Sequence, residues 1–215
     1  MVDPKKTFIL SLGGALVYPS GGIDIEFLTK FNAFIRNQIS SKKRRFFIVV
    51  GGGSIMRHYR DAAVAVGGAH IANEDLDWLG IHATRLNAHL VRTIFRDIAY
   101  PRVIKHYEII LKVDTPVAIA AGWKPGWSTD YDAVMLCQDY GITQVVNMTN
   151  VNQVYDKDPN KFPDAKPLVT ATWKKYRALW GNKYIVYVVA PVAAMWAKAI
   201  IRVVRLWSSS LYAGL

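Results

Sequence analysis

Short runs of apolar residues alternate along the chain with longer stretches whose apolar residues recur at helical spacing. Four apolar runs have the length expected of buried strands, and they cover residues 7–12, 46–50, 117–121 and 144–147. Four amphipathic stretches predict helices, and they cover residues 24–35, 54–66, 75–96 and 132–140. This alternation predicts an α/β fold with a mostly parallel sheet and helices on both of its faces.

The stretch from Asp75 to Arg96 predicts a long helix with two distinct stripes. The first stripe is apolar and consists of Leu76, Leu79, Ala83, Leu86, Leu90 and Ile94. The second is small and polar and consists of Asp77, Gly80, Thr84 and Asn87. The pattern predicts that the apolar stripe faces the core. A glycine inside a helix lowers its stability by about 1 kcal/mol, so Gly80 indicates close approach by another group such as a ligand.

Glycine and hydroxyl residues directly follow the predicted strands. The segments are Gly13-Gly14, Gly51-Gly52-Gly53, Ser128-Thr129-Asp130 and Thr149-Asn150. Parallel sheets bind ligands at the carboxyl ends of their strands, where glycines let the backbone approach phosphate oxygens. The pattern therefore predicts a phosphorylated ligand, although plain turns and helix caps explain each segment taken singly. No GxxxxGK[ST] or GxGxxG motif occurs, which disfavours P-loop kinases and dinucleotide dehydrogenases.

Composition indicates a single globular domain without a metal centre. The chain has 215 residues, of which 52% are hydrophobic. Its one cysteine, Cys137, cannot form an intramolecular disulfide, and its five histidines show no HExxH spacing. The N-terminus has no signal-peptide pattern. A cytoplasmic protein is the expectation.

Basic and aromatic residues are concentrated in the last quarter of the sequence. Residues 165–215 hold eight of the 27 Lys and Arg residues and four of the seven Trp, but no acidic residue. Such a segment suits nucleic acid, a membrane surface or a subunit interface. The apolar run 184–201 is interrupted by Pro191, which argues against a membrane span. We expect a protein contact in a homo-oligomer, with neither nucleic acid nor membrane as a partner.

Five motifs together resemble the archaeal-type UMP kinases of the amino-acid-kinase superfamily. They are Ser11-Leu-Gly-Gly14, Val49-Val-Gly-Gly-Gly53 with Arg57 and Tyr59, Gly80-Ile-His-Ala-Thr-Arg-Leu-Asn87, Pro125-Gly-Trp-Ser-Thr-Asp130, and Thr149-Asn-Val151 with Tyr155 and Asp158-Pro159. Their order and spacing match from about residue 7 to about residue 180. Each motif alone is weak evidence, whereas the set is specific.

The resemblance implies a three-layer α/β/α sandwich that transfers the γ-phosphoryl group of ATP to UMP, with Mg²⁺ bound to ATP. It implies one domain over residues 1–215, with a UMP-side part at 1–140 and an ATP-side part at 141–215. It also implies a homo-oligomer such as a dimer, trimer or hexamer.

The same resemblance assigns roles to individual residues. Asp130 would organise the reacting centre together with Arg57. The UMP-binding residues would be Gly51, Gly52, Arg57, Asp77, Gly80, Thr84 and Thr129. The ATP-binding residues would be Gly13, Gly14, Asn150, Tyr155 and Asp158.

Several departures from the family pattern fall on residues expected near phosphate. Ala15 and Ser54 stand where the family has Ser and Lys, and the late motif has Ala190 and Met195 in place of Asp and Lys. Pro191 is suited to the first position of a helix, which predicts that Ala190 is its N-cap. These changes support an alternative hypothesis, in which an inactive kinase fold, altered by design or by divergence, assembles through its Trp-rich C-terminal region.

Overall fold

A six-stranded sheet forms the centre of the molecule. The computed structural model describes residues 3–142, 144–149, 156–157, 162–166, 189–191 and 204–205. The strands are β1 (Thr7–Leu12), β2 (Arg45–Val50), β3 (Val117–Ala120), β4 (Gln144–Thr149), β5 (Val189–Pro191) and β6 (Val204–Arg205). They follow the order β3-β2-β1-β4-β5, all parallel, while β6 pairs antiparallel with β4. The predicted mostly parallel sheet is therefore confirmed.

Five α-helices occur in the described ranges. They are α1 (Gly14–Val17), α2 (Ile25–Lys42), α3 (Gly53–Gly67), α4 (Asn73–Ile94) and α5 (Thr129–Tyr140). The Asp24 carboxylate caps α2 by accepting a hydrogen bond from the Phe27 N–H at 2.8 Å. The Ser128 hydroxyl caps α5 by accepting from the Tyr131 N–H at 3.2 Å. No helix of the described residues has the length and apolar character needed to cross a membrane.

Two apolar clusters, one on each face of the sheet, make three layers. One cluster joins α2 and α4 to alternate strand residues, as in the contact of Phe31 and Val91 with the side of the sheet that carries Leu10. The other joins α5 to the intervening strand residues, with Leu136 packed on the side that carries Ile9. Strand side chains alternate between faces, so both sides of each central strand are buried.

The burial of α4 agrees with the prediction only in part. Within the predicted core stripe, Ala83 is buried, whereas Leu86 is 60% exposed. The neighbouring polar stripe also lies inward, and Gly80, Thr84 and Asn87 are all buried. Hydrophobic spacing alone did not predict the burial of these polar residues, which arises because loop backbone groups beside the helix require polar partners.

The region around Ala190 also differs from the prediction. Val189–Pro191 is strand β5, which pairs with Asn147–Thr149 of β4, so Ala190 lies within a strand and is not a helix N-cap. Sheet pairing determines the backbone here, whereas the Pro191 signal was only local. Pro191 is the last residue of β5, and the remainder of the helix predicted from it lies outside the described residues. A helix that the sequence predicts from Thr172 to Trp180 also lies outside them.

The loops that follow β1 and β2 touch through their backbones. A Cβ added at Gly14 would lie 2.0 Å from the amide nitrogen of Gly53 and 2.6 Å from the carbonyl carbon of Gly51. Gly53 itself has a φ of 70°, a conformation that glycine adopts without strain. The two glycine segments are therefore required by the fold itself, because no side chain fits between these loops.

Replacing Gly14 with alanine is expected to lower the free energy of unfolding by about 3 kcal/mol, since the new methyl group would overlap backbone atoms that cannot rotate away. Urea unfolding followed by circular dichroism measures the change. Gly21→Ala is the matched control, because a Cβ there would meet nothing within 4 Å. Equal stability losses in the two variants would show that the loops do not pack as described.

Candidate active site

The loops that follow β1, β2 and β3 gather at the carboxyl edge of the sheet, where the sequence predicts a ligand. The register pairs Leu12 with both Val50 and Met148, so β1, β2 and β4 end side by side. The amide of Gly13 donates to the Met148 carbonyl at 2.8 Å, and the amide of Gly51 donates to the Leu12 carbonyl at 2.9 Å. These two amides are thus already hydrogen-bonded within the sheet. A phosphate at this edge would therefore be contacted by the residues that follow Gly13 and Gly51.

Asn87 fixes the glycine loop after β2. Its side-chain amide donates to the carbonyls of Gly51 at 2.9 Å and Gly52 at 3.0 Å, and the residue is buried. It was not among the predicted site residues, although its place on the polar stripe of α4 was a signal for it. Because one side chain holds two successive carbonyls, the orientation of both peptide groups depends on Asn87.

Ser54 lies in the first turn of α3 and Arg57 begins the next turn, and the two side chains have different roles. The Ser54 hydroxyl lies 2.7 Å from the carbonyl oxygen of Pro19 and 3.2 Å from that of Tyr18, and its side chain is buried. Ser54 therefore ties α3 to the loop after α1. Arg57, one turn further on, is exposed to solvent beside the glycine loop. Its guanidinium group is available to a phosphate that binds from solution.

Two polar side chains of α4 anchor the loop after β3. The Asp77 carboxylate accepts a hydrogen bond from the Gly126 amide at 2.8 Å. The Thr84 hydroxyl accepts from the Gly122 amide at 2.9 Å and donates to the Ile81 carbonyl at 2.7 Å. Both residues were predicted to line the UMP site, and the structure brings both to the loop after β3. Each holds the loop backbone in this structure.

Arg85 provides the third connection between α4 and this loop. Its guanidinium donates to the Gly122 carbonyl at 3.2 Å and the Trp123 carbonyl at 3.0 Å. Partial burial lowers the pKa of the guanidinium, while the charges of Tyr107 and Asp132 oppose that shift. The loop is thus held at its start by Thr84 and Arg85.

Gly80 permits close packing between α3 and α4. A Cβ there would lie 3.3 Å from the Met56 sulfur, so the group that approaches Gly80 is a side chain of the neighbouring helix. Contact with a ligand at Gly80 remains a prediction.

Aromatic side chains line the loop after β3. The Lys124 ammonium lies 4.0 Å from the ring centroid of Trp123 and 4.3 Å from that of Trp127, within cation–π range of both. The two indoles meet edge to face at 4.8 Å, and Trp127 meets Tyr131 in the same way at 4.3 Å. These contacts place a cation and flat apolar surfaces beside the start of α5.

Asp130 lies where the loops converge. It is in the first turn of α5, and its carboxylate accepts a 2.6 Å hydrogen bond from the Ser11 hydroxyl near the end of β1. Thr129 is the first residue of the same helix and is half-buried. The Ser11 contact sets the Asp130 carboxylate next to the loop that contains Gly13 and Gly14, as expected for a residue at a reacting centre.

Asp132 is a second carboxyl group in this turn, and sequence analysis did not identify it. It is fully buried, and neither carboxyl oxygen has a hydrogen-bond partner among the described residues. Burial, together with the charge of Asp130, raises the pKa of Asp132 to about 8, while the Trp123 backbone and Arg85 oppose the shift. Asp132 is therefore mostly protonated at neutral pH. Hydrophobic spacing gives no sign of a neutral carboxyl group at this position.

The predicted ATP-binding residues Asn150, Tyr155 and Asp158 lie outside the described residues, as does Met195. The structure therefore describes the predicted UMP side of the site, together with Gly13 and Gly14 from the predicted ATP side.

Comparisons with known proteins agree with the fold and with the resemblance. The family model described as "Amino acid kinase family" matches residues 6–202. A uridylate kinase from Thermoplasma volcanium is 33% identical over 174 residues, which cover 80% of this chain and 73% of that protein. The solved uridylate kinase from Archaeoglobus fulgidus superposes with a TM-score of 0.69 at 27% identity, covering 87% of this chain and 83% of that one.

The extent of the match varies among relatives. A uridylate kinase from Staphylothermus marinus is 33% identical over 116 residues, or 53% of this chain, and the chain spans only 52% of that relative's length. The family model nevertheless covers nearly the whole chain, as does the structural superposition. The predicted three-layer fold and the resemblance are therefore confirmed, and the chain belongs to the amino acid kinase family.

Proposed function

We propose that this protein is a UMP kinase-like phosphotransferase that converts ATP and UMP to ADP and UDP. The observation that carries the proposal is the Asp130 carboxylate, which Ser11 holds at the carboxyl edge of the sheet beside the glycine loops. The uridylate kinases among its relatives support the choice of UMP as acceptor. Substrate recognition would combine the helix N-termini at this edge with the cations Arg57 and Lys124.

The chemistry requires positioning more than proton transfer. An oxygen of the UMP phosphate forms a bond to the γ-phosphorus of ATP, and the bond from that phosphorus to the bridging oxygen breaks, with its electron pair leaving on ADP. The second pKa of a phosphate monoester is about 6, so the attacking oxygen is already ionised at neutral pH. The protein therefore has to align the two phosphates and balance their charge.

We divide the predicted UMP-binding residues into those that would contact UMP and those that would hold the loop around it. Gly52, Arg57 and Thr129 would contact the acceptor directly. Asp77 and Thr84 shape the acceptor site by holding the loop after β3.

The ATP side follows the family pattern. Gly13 and Gly14 would approach the transferred phosphoryl group, and Asn150, Tyr155 and Asp158 would bind ATP. Mg²⁺ would enter as part of the ATP substrate complex. The division into a UMP-side part and an ATP-side part, the homo-oligomer and the cytoplasmic location remain predictions.

The inactive-scaffold alternative receives no added support from Ser54. That residue anchors α3 to the carbonyls of Tyr18 and Pro19, so its presence has a structural explanation that is independent of assembly. The other residues behind that alternative lie mostly in the C-terminal part, outside the described residues.

Asp130→Asn is expected to lower kcat for UDP formation about 100-fold, the usual scale for losing one well-placed electrostatic group. The amide keeps the shape of the side chain and can still accept a hydrogen bond from Ser11. UDP is measured by chromatography after incubation with UMP, Mg²⁺ and ATP. Asp114→Asn, near the amino end of β3 and exposed, is the control. An unchanged rate in Asp130→Asn would refute the assigned role, and no UDP from the folded wild-type protein would refute the kinase proposal.

Asn87→Asp is expected to raise the KM for UMP at least 10-fold, because a carboxylate oxygen would face the carbonyls of Gly51 and Gly52 and displace the loop. It should also lower the free energy of unfolding by about 2 kcal/mol, since buried hydrogen bonds are lost. Steady-state kinetics, at a temperature where both proteins are folded, separate these two effects. Asn37→Asp on the exposed side of α2 is the control. An unaltered KM would mean that the orientation of the loop does not govern binding.

A further inference from the structure

The carboxyl group of Asp132 is the buried titratable group that the proposed transfer does not use. It is fully buried, lies in the same helical turn as Asp130, and both of its oxygens lack a hydrogen-bond partner among the described residues. Burying such a group without a partner is unfavourable, and an apolar side chain would be more stable at the same position. Stability of the fold alone therefore does not explain this residue.

Charged and polar groups from four segments of the chain act on Asp132. Asp130 lies on the same helix, and the charge of the Arg85 guanidinium acts from α4. The backbone N–H of Trp123 approaches from the loop after β3, without forming a standard hydrogen bond. Tyr107 interacts electrostatically with Asp132 as well, and its hydroxyl donates to the Ala121 carbonyl at 2.7 Å.

Arg85 connects this cluster to the loop. Its guanidinium donates to the carbonyls of Gly122 and Trp123, and the charge of the same group acts on Asp132. A neutral Asp132 does not compete for the guanidinium. An ionised Asp132 would attract it strongly in this desolvated position, at the expense of its hydrogen bonds to the two neutral carbonyls.

We propose that Asp132 is a positioning residue of the acceptor side, which in its neutral form keeps Arg85 on the loop after β3 and on ionisation draws Arg85 away. The position of Trp123 and the geometry of the UMP site then depend on the protonation of Asp132. This inference rests on the proposed function only for its kinetic consequence. The movement of the loop is a property of the protein without substrate.

The direct test is the intrinsic tryptophan fluorescence of the full-length protein from pH 6 to pH 9.5. The wild-type emission should change with a midpoint near pH 8, where Asp132 ionises. Asp132→Asn, a permanently neutral isostere, should abolish the transition, and Trp123→Phe should remove most of its amplitude. Asp139→Asn on the same helix is the matched control and should retain the fluorescence transition. A flat wild-type titration would overturn the proposal without reference to any variant.

The kinetic test separates positioning from a purely structural role. Between pH 7 and pH 9 the wild-type KM for UMP should rise about 5-fold more than that of Asp132→Asn, with kcat changing less than 2-fold. Identical pH profiles would overturn the proposal. If the folded protein makes no UDP, the kinase function fails while the fluorescence titration still decides the role of Asp132.

Thermal stability provides a further check on the protonation state. In the folded protein the pKa of Asp132 is raised, so between about pH 4 and about pH 8 the folded state keeps a proton that the unfolded chain has lost. The wild-type Tm should therefore fall relative to that of Asp132→Asn as pH rises through this window, and the difference should level off above pH 8. If Asp132→Asn does not fold, Asp132→Leu replaces it. A Tm difference independent of pH would show that Asp132 is ionised throughout.

Discussion

The need to satisfy loop backbone groups at the carboxyl edge of the sheet determines how this site is built. When a chain leaves a strand, its peptide groups lose their ladder partners and require others. Helix α4 supplies them: Asn87 bonds the loop after β2, while Asp77, Thr84 and Arg85 bond the loop after β3. Both loops therefore take their positions from one rigid helix. A displacement of α4 would alter the loop after β2 and the loop after β3 together.

This constraint explains what the sequence could and could not predict. The strands and the main helices follow from hydrophobic spacing and glycine positions, because those signals are local. The inward face of α4 was predicted only in part: hydrophobic spacing placed Ala83 in the core correctly, but it ranked the exposed Leu86 above the buried Asn87. Burial of the polar stripe depends on the loops it faces, and these come from distant parts of the chain. Ala190 was missed for the same reason, since pairing with β4 decides its conformation.

In the candidate site, too, the features that local sequence patterns indicate were predicted, and those that depend on distant residues were not. Gly13, Gly14, Gly51 and Asp130 were placed correctly at the edge of the sheet, since each directly follows a strand or begins a helix. The bond between Ser11 and Asp130 joins residues 119 positions apart, and no local pattern contains it. The fold itself also requires these glycines, because the contact between the loops after β1 and β2 excludes a Cβ even without a ligand.

The balance of charge at the edge favours a site for phosphate. Two carboxyl groups, Asp130 and Asp132, occur in one helical turn, and if both were ionised they would repel the phosphates that such a site must attract. Burial keeps Asp132 mostly neutral at neutral pH, so the turn presents a single negative charge, that of Asp130. The neutral group also leaves Arg85 on the loop carbonyls. The buried carboxyl group of Asp132 is unfavourable for folding, but in its neutral form it is compatible with anion binding. An ionised carboxylate at the same position would oppose anion binding.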